Sequence, residues 1–454
     1  MLEELDEKIR ENRNSGTRWV DPEFLPALKP SDERPLLEQL SRDERNNQNG
    51  FFGLNPGSFF RVSRKRYGPL AWEKEATPGR VGPKVDYTKH AYVYPPKLTE
   101  PPELGEYPKL IPFKELMERW PQDDLDNPPT PHHETLMHFD FNSPSDVEAA
   151  VKFREARLPF KFVNVPEVVA AGDLWTDEYL SYHFDGHMAG REFPPAKGTA
   201  QESSDNYFAF FAQGAWPVSK LGIPPTRNND WTFAKWAEHA LYADSAGLDP
   251  NQPHFYWQAG VDKEERHRDE SEWTFISRDL PSFSSPSETV FVFHPSQQKG
   301  IQCRFGERGV TAATHFDSGR NMVAMMTGAK RYILSPPNQC SKLGIVNERG
   351  NPIFRHSMLN FGHFSHMGNP DMPTAEHEWL DRAGGAMALD TILKAGEVLY
   401  IPSHWFHYIT SLQKSAQCNV RSGVDFEGDE VFGGKPDVTT FCEPEFKLEA
   451  LGEQ

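Results

Sequence analysis

The chain has 454 residues, 37% hydrophobic and 25% charged, a composition typical of a soluble globular protein, and its length allows two or three domains. No run approaches the roughly 18 apolar residues of a membrane span, and the charged first residues do not form a secretory signal, so we expect no membrane partner and an intracellular location, cytoplasm or nucleus. The net charge of −18 argues against binding a phosphate backbone, so no direct nucleic-acid partner is expected. A protein or peptide partner is compatible with this charge, and the oligomeric state stays open.

Residues 1–145 are rich in proline, glycine and charge, and they account for much of the total of 39 prolines. Proline removes a backbone donor and fixes φ, so long regular elements are not expected here. Bulky aromatic residues such as Phe51, Phe52 and Trp72 are too apolar for a free tail. We therefore predict a Pro-rich N-terminal arm that packs on the core, with a separate small domain as the alternative. Within it, residues 111–120 read as a helix ended by Pro121.

Residues 146–425 have a different character, and residues 426–454 form a short acidic tail. The segment SPSDVEAAVKFREA (143–156) has the start signal and periodicity of a helix. Later segments are short β-like runs separated by glycine and proline, among them HFYWQAG, KGIQCRFG and SAQCNVRSG. This pattern predicts a mainly β catalytic domain with flanking helices, an antiparallel barrel or sandwich.

The cysteine and histidine content limits the kinds of metal site that the chain can form. The four cysteines (Cys303, Cys340, Cys418 and Cys442) are scattered and contain no CxxC pair, so neither a cysteine zinc site nor a disulfide framework is expected. The chain has 17 histidines, which makes imidazole and carboxylate the expected ligands of any metal.

The tripeptide His-Phe-Asp occurs at His138–Asp140, His183–Asp185 and His315–Asp317. On a strand, a His-x-Asp pair projects both side chains to one face, as two ligands of one metal require. The spacing alone is weak, and at most one of the three is expected to be functional. Only the third is followed by two apolar runs, NMVAMMT and KRYILS.

Those two runs flank Gly328–Ala329, and this spacing predicts a β-hairpin with a two-residue turn. In such a hairpin Thr327 lies opposite Lys330, and Asn321 shares a face with Lys330. A lysine that points inward from an apolar strand needs an anion beside it.

A third metal ligand is expected from GEVLYIPSHWFHYITSL, which offers His404 and His407. His407 lies within the strand run and is preferred, because strand pairing fixes its direction. His315, Asp317 and His407 then form two histidines and a carboxylate on one side of a metal, the facial triad of non-haem Fe(II) oxygenases.

The segments THFDSGRNMVAMMTGAKRYILSPP and AGEVLYIPSHWFHYITSL resemble the JmjC family of Fe(II)- and 2-oxoglutarate-dependent oxygenases, of the cupin superfamily. The resemblance is nearest the branch that includes the asparaginyl hydroxylase of hypoxia-inducible factor. It covers roughly residues 150–425 and is sharp over about 301–337 and 395–425. The fold it implies is a double-stranded β-helix, or jelly roll.

The resemblance also implies roles for individual residues. His315, Asp317 and His407 would bind Fe(II), which leaves positions for 2-oxoglutarate and O₂. Lys330 and Tyr256 would meet the far carboxylate of 2-oxoglutarate.

Other positions lie near the metal-chelating end of 2-oxoglutarate or depart from the family pattern. Asn321 would lie beside that end. Ala312 stands where the family often has a hydroxyl residue, and the flanking Thr311 and Thr314 are candidate replacements. Arg421 stands where the branch has an asparagine, and Asn419 lies two residues earlier on the same face.

The predicted activity is oxidative decarboxylation of 2-oxoglutarate to succinate and CO₂, coupled to hydroxylation of a C–H bond in a protein or peptide. One alternative is a histone-type lysine demethylase of the same family. A second is a non-catalytic, metal-binding jelly roll that serves as a binding module.

Overall fold

The computed structural model describes residues 85–423 except 103–106, 108, 185–198, 204, 209–225, 230, 247, 251, 262–273, 347–354, 358 and 368–373. The acidic tail and most of the N-terminal arm lie outside the described residues, as does Asp185, so the domain boundaries at 145 and 425 stay predictions. Among the described residues, no helix is long and apolar enough to cross a membrane.

The described elements alternate between short strands and helices in the first half and are mostly strands in the second. In chain order they are β1 Tyr92–Val93, β2 Ile111–Pro112, α1 Phe113–Arg119, β3 His132–His133, β4 His138–Asp140, α2 Pro144–Glu155, β5 Phe160–Val163, α3 Pro166–Leu174, α4 Asp177–Phe184, β6 Thr199–Ser203, β7 Tyr207–Phe208, β8 Thr226–Asn229, α5 Phe233–Ser245, β9 His254–Val261, α6 Thr274–Asp279, β10 Gln298–Gly306, β11 Thr311–Phe316, β12 Asn321–Thr327, β13 Ala329–Ser335, α7 Thr374–Gly384, β14 Met387–Lys394, β15 Val398–Ile401, β16 Phe406–Ser411 and β17 Ser415–Ser422. Helices α1 and α2 confirm the two helices predicted from residues 111–120 and 143–156.

Two sheets form the body of the molecule. The larger sheet has the strand order β4-β5-β15-β12-β17-β10-β9-β6-β8, and the smaller sheet has the order β2-β14-β13-β16-β11-β7. Strands that follow one another in the chain often lie in different sheets. This is the jelly-roll architecture with flanking helices that was expected. Strands β2 and β4, from the end of the predicted arm, each join one of the two sheets.

Alternation along the strands divides the larger sheet into two faces. On β10, Cys303 and Phe305 belong to the main hydrophobic core, where Phe305 packs against Phe233 and Trp236 of α5. Arg304, between them, points to the opposite side and lines an internal cavity. Helices therefore cover the outer face of this sheet, and its inner face is left for the site.

The predicted hairpin around Gly328–Ala329 is wrong. Strand β12 pairs with β15 and β17 in the larger sheet, whereas β13 pairs with β14 and β16 in the smaller one. Gly328 has φ +76° and marks the corner where the chain crosses between sheets. A Cβ there would lie 2.2 Å from the carbonyl oxygen of Lys414, so the corner admits only glycine without a backbone shift. Asn321 and Lys330 therefore belong to opposite sheets.

A disulfide joins Cys303 to Cys418, a pairing that the sequence analysis did not foresee. The two residues are 115 positions apart in sequence, yet they are directly opposed on the neighbouring strands β10 and β17. Sequence spacing could not show this, because the pairing follows from strand order and register.

Candidate metal centre

Pairing of two strands of the smaller sheet brings the three predicted ligands together. His315 on β11 lies opposite His407 on β16, and Asp317 follows β11 directly. One potential ligand atom from each residue lies within 4.8 Å of the others, and this is the one group of three or more histidine, cysteine or acidic residues with such spacing among the described residues. The structure therefore assembles the triad predicted from the sequence.

Backbone carbonyls orient the two imidazoles as metal ligands. His315 Nδ1 lies 2.7 Å from the Ala313 carbonyl oxygen, and His407 Nδ1 lies 3.1 Å from the Trp405 carbonyl oxygen. If each Nδ1–H donates to its carbonyl, both Nε2 atoms carry lone pairs, and these two atoms are only 3.0 Å apart. Two facing lone pairs repel unless a cation accepts both.

Burial keeps the histidines in the neutral form that binds metals. The pKa of His315 is held well below its usual range, first by burial and then by the neighbouring His407 and His356. The pKa of His407 is also lowered, chiefly by burial. Two neutral imidazoles and one carboxylate fit Fe(II), so the donor set agrees with the metal that the sequence implied.

Cations and an amide hold the Asp317 carboxylate. Arg421 Nη2 lies 2.7 Å from Oδ2, Arg355 Nη1 donates to Oδ1 over 3.1 Å, and Asn321 Nδ2 donates to Oδ2 over 3.1 Å. Burial alone would raise the pKa of this carboxyl, but Arg421 and Arg355 outweigh burial and keep its pKa well below the usual range. Asp317 is therefore ionised, as a metal ligand must be.

An irregularity in β11 sets which residues face the cavity. Ala312 pairs with Ile409 and His315 pairs with His407, so β11 spans three residues where β16 spans two. This extra residue places Ala312 and His315 on the cavity side. Thr314 does not line the cavity, and its hydroxyl is buried without a hydrogen-bond partner among the described residues. The cavity lining gives no support to the candidate role of Thr314 in binding 2-oxoglutarate, and this role stays a prediction.

The triad opens into a cavity of about 210 Å³ between the two sheets. Its lining residues are Gln201, Tyr256, Gln258, Arg304, Ala312, His315, Asp317, Asn321, Val323, Tyr332, Arg355, His356, Ile401, His407, Ile409, Gln417, Asn419 and Arg421. The three candidate metal ligands come from the smaller sheet and the residue that follows β11. Inward side chains of the larger sheet form what we call the polar wall, which comprises Arg304, Asn321, Gln417, Asn419 and Arg421.

Arg304 is a cavity residue that was not predicted from the sequence. Its guanidinium has no carboxylate partner among the described residues, and its one hydrogen bond goes to the Cys303 carbonyl oxygen over 3.1 Å. A cation in this position is suited to receive the carboxylate of a ligand. The signal in the sequence was an arginine in the middle of the apolar strand KGIQCRFG.

Lys330 and Tyr256 lie together beside the cavity. Lys330 is 1% exposed, and its Nζ lies 5.3 Å from the centroid of the Tyr256 ring. Tyr256 lines the cavity but Lys330 does not. Burial and the nearby Arg304 lower the pKa of Lys330 well below its usual range. The role of Lys330 at the far carboxylate stays a prediction, and Arg304 is the cation with direct access.

The polar wall carries hydrogen-bonding atoms that have no partner among the described residues. These are Asn321 Oδ1, Asn419 Nδ2 and Arg421 Nε. Asn419 is only 4% exposed, and an unpaired buried amide is costly. Asn321, Asn419 and Arg421, all singled out from the sequence, thus meet at the site, where a bound ligand would satisfy them.

The other two His-Phe-Asp histidines serve packing. His138 packs against Tyr94 at a ring distance of 4.1 Å, and His183 stacks on Phe275 at 4.2 Å. Neither belongs to the ligand group around Asp317.

Comparison with known proteins agrees with this geometry. The zebrafish (Danio rerio) tRNA wybutosine-synthesizing protein 5 is 23% identical over 145 residues, or 32% of this chain and 39% of that protein. JmjC domain-containing protein F of Dictyostelium discoideum is 28% identical over 128 residues, 27% of each chain. Lysine-specific demethylase JMJ31 of Arabidopsis thaliana is 28% identical over 114 residues, 24% of this chain and 18% of that protein. The matches span less than half of the length of these relatives.

These names leave the substrate open. They do not single out the hypoxia-factor hydroxylase branch, which stays a prediction. They also give no support to the expectation that nucleic acid is excluded, because one relative is named for tRNA. The model of the cupin-like domain family matches residues 151–421, more than half of the chain. The chain therefore belongs to the cupin-like domain family, as its JmjC-type motifs predicted.

Proposed function

We propose that this chain is a non-haem Fe(II) oxygenase that uses 2-oxoglutarate and hydroxylates a protein or peptide. The observation that carries the proposal is the pair of Nε2 atoms of His315 and His407, 3.0 Å apart beside the ionised Asp317. Bound Fe(II) would supply the redox chemistry that couples decarboxylation of 2-oxoglutarate to C–H hydroxylation.

The protein's own residues supply charge, orientation and a secluded site. Backbone carbonyls and the amide of Asn321 fix the three ligand side chains. The guanidinium of Arg304, which has no carboxylate partner among the described residues, would receive a carboxylate of 2-oxoglutarate, with Lys330 and Tyr256 close by. Two of the three ligands are nearly inaccessible (Asp317 is 4% exposed and His407 is 2% exposed), which would help to hold a bound co-substrate out of bulk water.

The charge around the triad favours hydroxylation over lysine demethylation. A methylated lysine is a cation, and it would have to approach Asp317 between Arg355 and Arg421. Both arginines already hold Asp317, the one carboxylate among the described residues that line the cavity. Like charges at this distance repel, which disfavours a cationic substrate.

The test is turnover of 2-oxoglutarate by purified protein with Fe(II) and O₂, with succinate as the readout. We expect succinate from the wild type in the presence of a pooled peptide library and none above background from Asp317→Ala. Mass spectrometry of the peptides separates the activities, because hydroxylation adds one oxygen atom and demethylation removes one CH₂. Equal succinate from both proteins would contradict the proposal, and metal binding without any succinate would favour the non-catalytic binding module.

A further inference from the structure

The opening of the cavity carries two arginines that the metal centre does not need as ligands. Arg355 and Arg421 reach opposite oxygens of Asp317, at 3.1 and 2.7 Å. Their side chains are 35% and 29% exposed, whereas that of Asp317 is 5% exposed. The two cations, which we call the mouth arginines, therefore lie on the solvent side of the carboxylate, where a second substrate must enter.

The cavity has more positive than negative charge. Among the described residues, its lining includes three arginines and a single carboxylate, Asp317. The charges of a divalent metal and a doubly charged 2-oxoglutarate would cancel each other. The cavity would therefore keep an excess of two positive charges after both had bound. One unit of this excess is at Arg304, which faces the co-substrate. The remainder lies at the mouth arginines, because one carboxylate cannot neutralise both.

Two buried hydrogen-bond donors beside the mouth arginines have no acceptor among the described residues, which indicates that a bound ligand supplies one. Arg421 Nε is buried without a hydrogen-bond partner among the described residues, as is Nδ2 of the neighbouring inward residue Asn419. A bound metal would also compete with the mouth arginines for the Asp317 oxygens. Both effects favour an additional group with two oxygens, which guanidinium binds through paired hydrogen bonds.

We propose that the mouth arginines bind an acidic side chain, Asp or Glu, of the substrate peptide next to the carbon that is hydroxylated. This inference rests on the proposed function and specifies its substrate class. A polyanion such as RNA is the less favoured occupant, because the chain has a net charge of −18 and a phosphate backbone needs an extended basic surface. A local pair of arginines suits a single carboxylate.

The test is selection from a random peptide library on immobilised protein loaded with Mn(II) and 2-oxoglutarate. We expect Asp or Glu to be enriched at one position. Selected peptides should bind about 10- to 100-fold more tightly than the same peptides with Asn or Gln at that position. Arg355→Gln and Arg421→Gln should each remove most of this preference. Arg119→Gln, which removes a surface arginine paired with Glu115, should retain it.

Separate titrations with Mn(II) and 2-oxoglutarate distinguish the ways in which the inference can fail. If the mouth arginines only position Asp317, their variants will weaken Mn(II) binding and leave peptide preference unchanged, which overturns the inference. Neutral or basic selected peptides, or binding of mixed tRNA without any peptide selection, also overturn it. Loss of 2-oxoglutarate binding by the wild type would instead overturn the proposed function, and this inference with it.

Discussion

The two sheets contribute different chemistry to one cavity. The smaller sheet supplies His315 and His407 from paired strands and Asp317 from the end of β11. The larger sheet supplies the polar wall, which contains two of the three cavity arginines. The candidate metal ligands are close in sequence or directly paired. The polar wall takes one residue from β10, one from β12 and three from β17. Ligand recognition can therefore be disturbed separately from metal binding at Arg304, whereas Asn321 and Arg421 of the polar wall also contact Asp317.

The largest loss of activity is expected when a candidate metal ligand is removed from the smaller sheet's side of the cavity. Asp317→Ala removes a ligand and leaves two arginines without their carboxylate, so we expect succinate formation to fall by at least about 100-fold. Metal affinity, measured by calorimetry, should fall in parallel. The matched control is Asp140→Ala in the His-Phe-Asp of β4, which should keep both properties. If the two variants behave alike, the assignment of the metal side is wrong.

The next effect is expected from the polar wall. Arg304→Gln should raise the dissociation constant for 2-oxoglutarate by about 10- to 100-fold, because it removes a charge-assisted contact. Mn(II) affinity in the absence of 2-oxoglutarate should change little. Lys330→Met, measured beside it, tests the role predicted from the sequence. A larger loss of 2-oxoglutarate affinity for Lys330→Met than for Arg304→Gln would show that Lys330 is the principal cation for the co-substrate carboxylate.

The corners that let the two sheets face each other are expected to control stability. Gly328→Ala forces a left-handed φ on alanine and drives its Cβ to 2.2 Å from the Lys414 carbonyl oxygen. We expect the free energy of unfolding to fall by at least about 2 kcal/mol.

Gly396, at φ +85° between β14 and β15, is the matched corner, where the new Cβ would meet only a methyl group of the partly exposed Val169. Urea unfolding should show a smaller loss, about 1 kcal/mol, for Gly396→Ala. Equal losses would show that the backbone collision at Gly328 is unimportant.

A pH-dependent change in stability is expected at the crossing from β16 to β17. Asp244 accepts a hydrogen bond from the Lys414 backbone N–H over 2.7 Å, and burial raises the pKa of this carboxyl to about 6. A raised folded-state pKa stabilises the protein below the ordinary pKa near 4, and this contribution is lost as the pH rises through 6. Asp244→Asn keeps the acceptor and cannot ionise.

The stability of Asp244→Asn relative to wild type should therefore increase between pH 4 and pH 7, by up to about 3 kcal/mol. Denaturant unfolding at several pH values measures it. A difference that does not vary with pH would mean that Asp244 titrates normally in the folded protein.

The difference between the sheets also explains what could be read from the sequence. His315-x-Asp317 is a local pattern on one strand, and His407 lies in a strand whose direction is fixed by pairing, so the triad was predictable. Arg304 and Arg355 depend on which strands and connections become neighbours, and no local spacing encodes that. Thr314 is adjacent to His315 on β11, so strand alternation turns it away from the cavity, whereas the extra residue in β11 brings Ala312 to the same side as His315.

The fold was also predictable from the sequence where the signal is local, and not where it depends on which strands pair. Short strands between glycines and prolines predicted a mainly β jelly roll, which the structure confirms. The hairpin at Gly328 failed, because a short glycine turn between two apolar strands fits both a hairpin and a corner between sheets. Only the partners of β12 and β13 decide between them. The disulfide from Cys303 to Cys418 likewise depends on long-range register.

The most direct test of the central claim is an anaerobic titration of Fe(II)-loaded protein with 2-oxoglutarate, followed by visible absorption. We predict a charge-transfer band that saturates at one equivalent of 2-oxoglutarate in the wild type and in Asp140→Ala. Asp317→Ala should give no band. Absence of the band in the wild type, or an equal band in Asp317→Ala, would contradict the assignment of His315, Asp317 and His407 as the iron site.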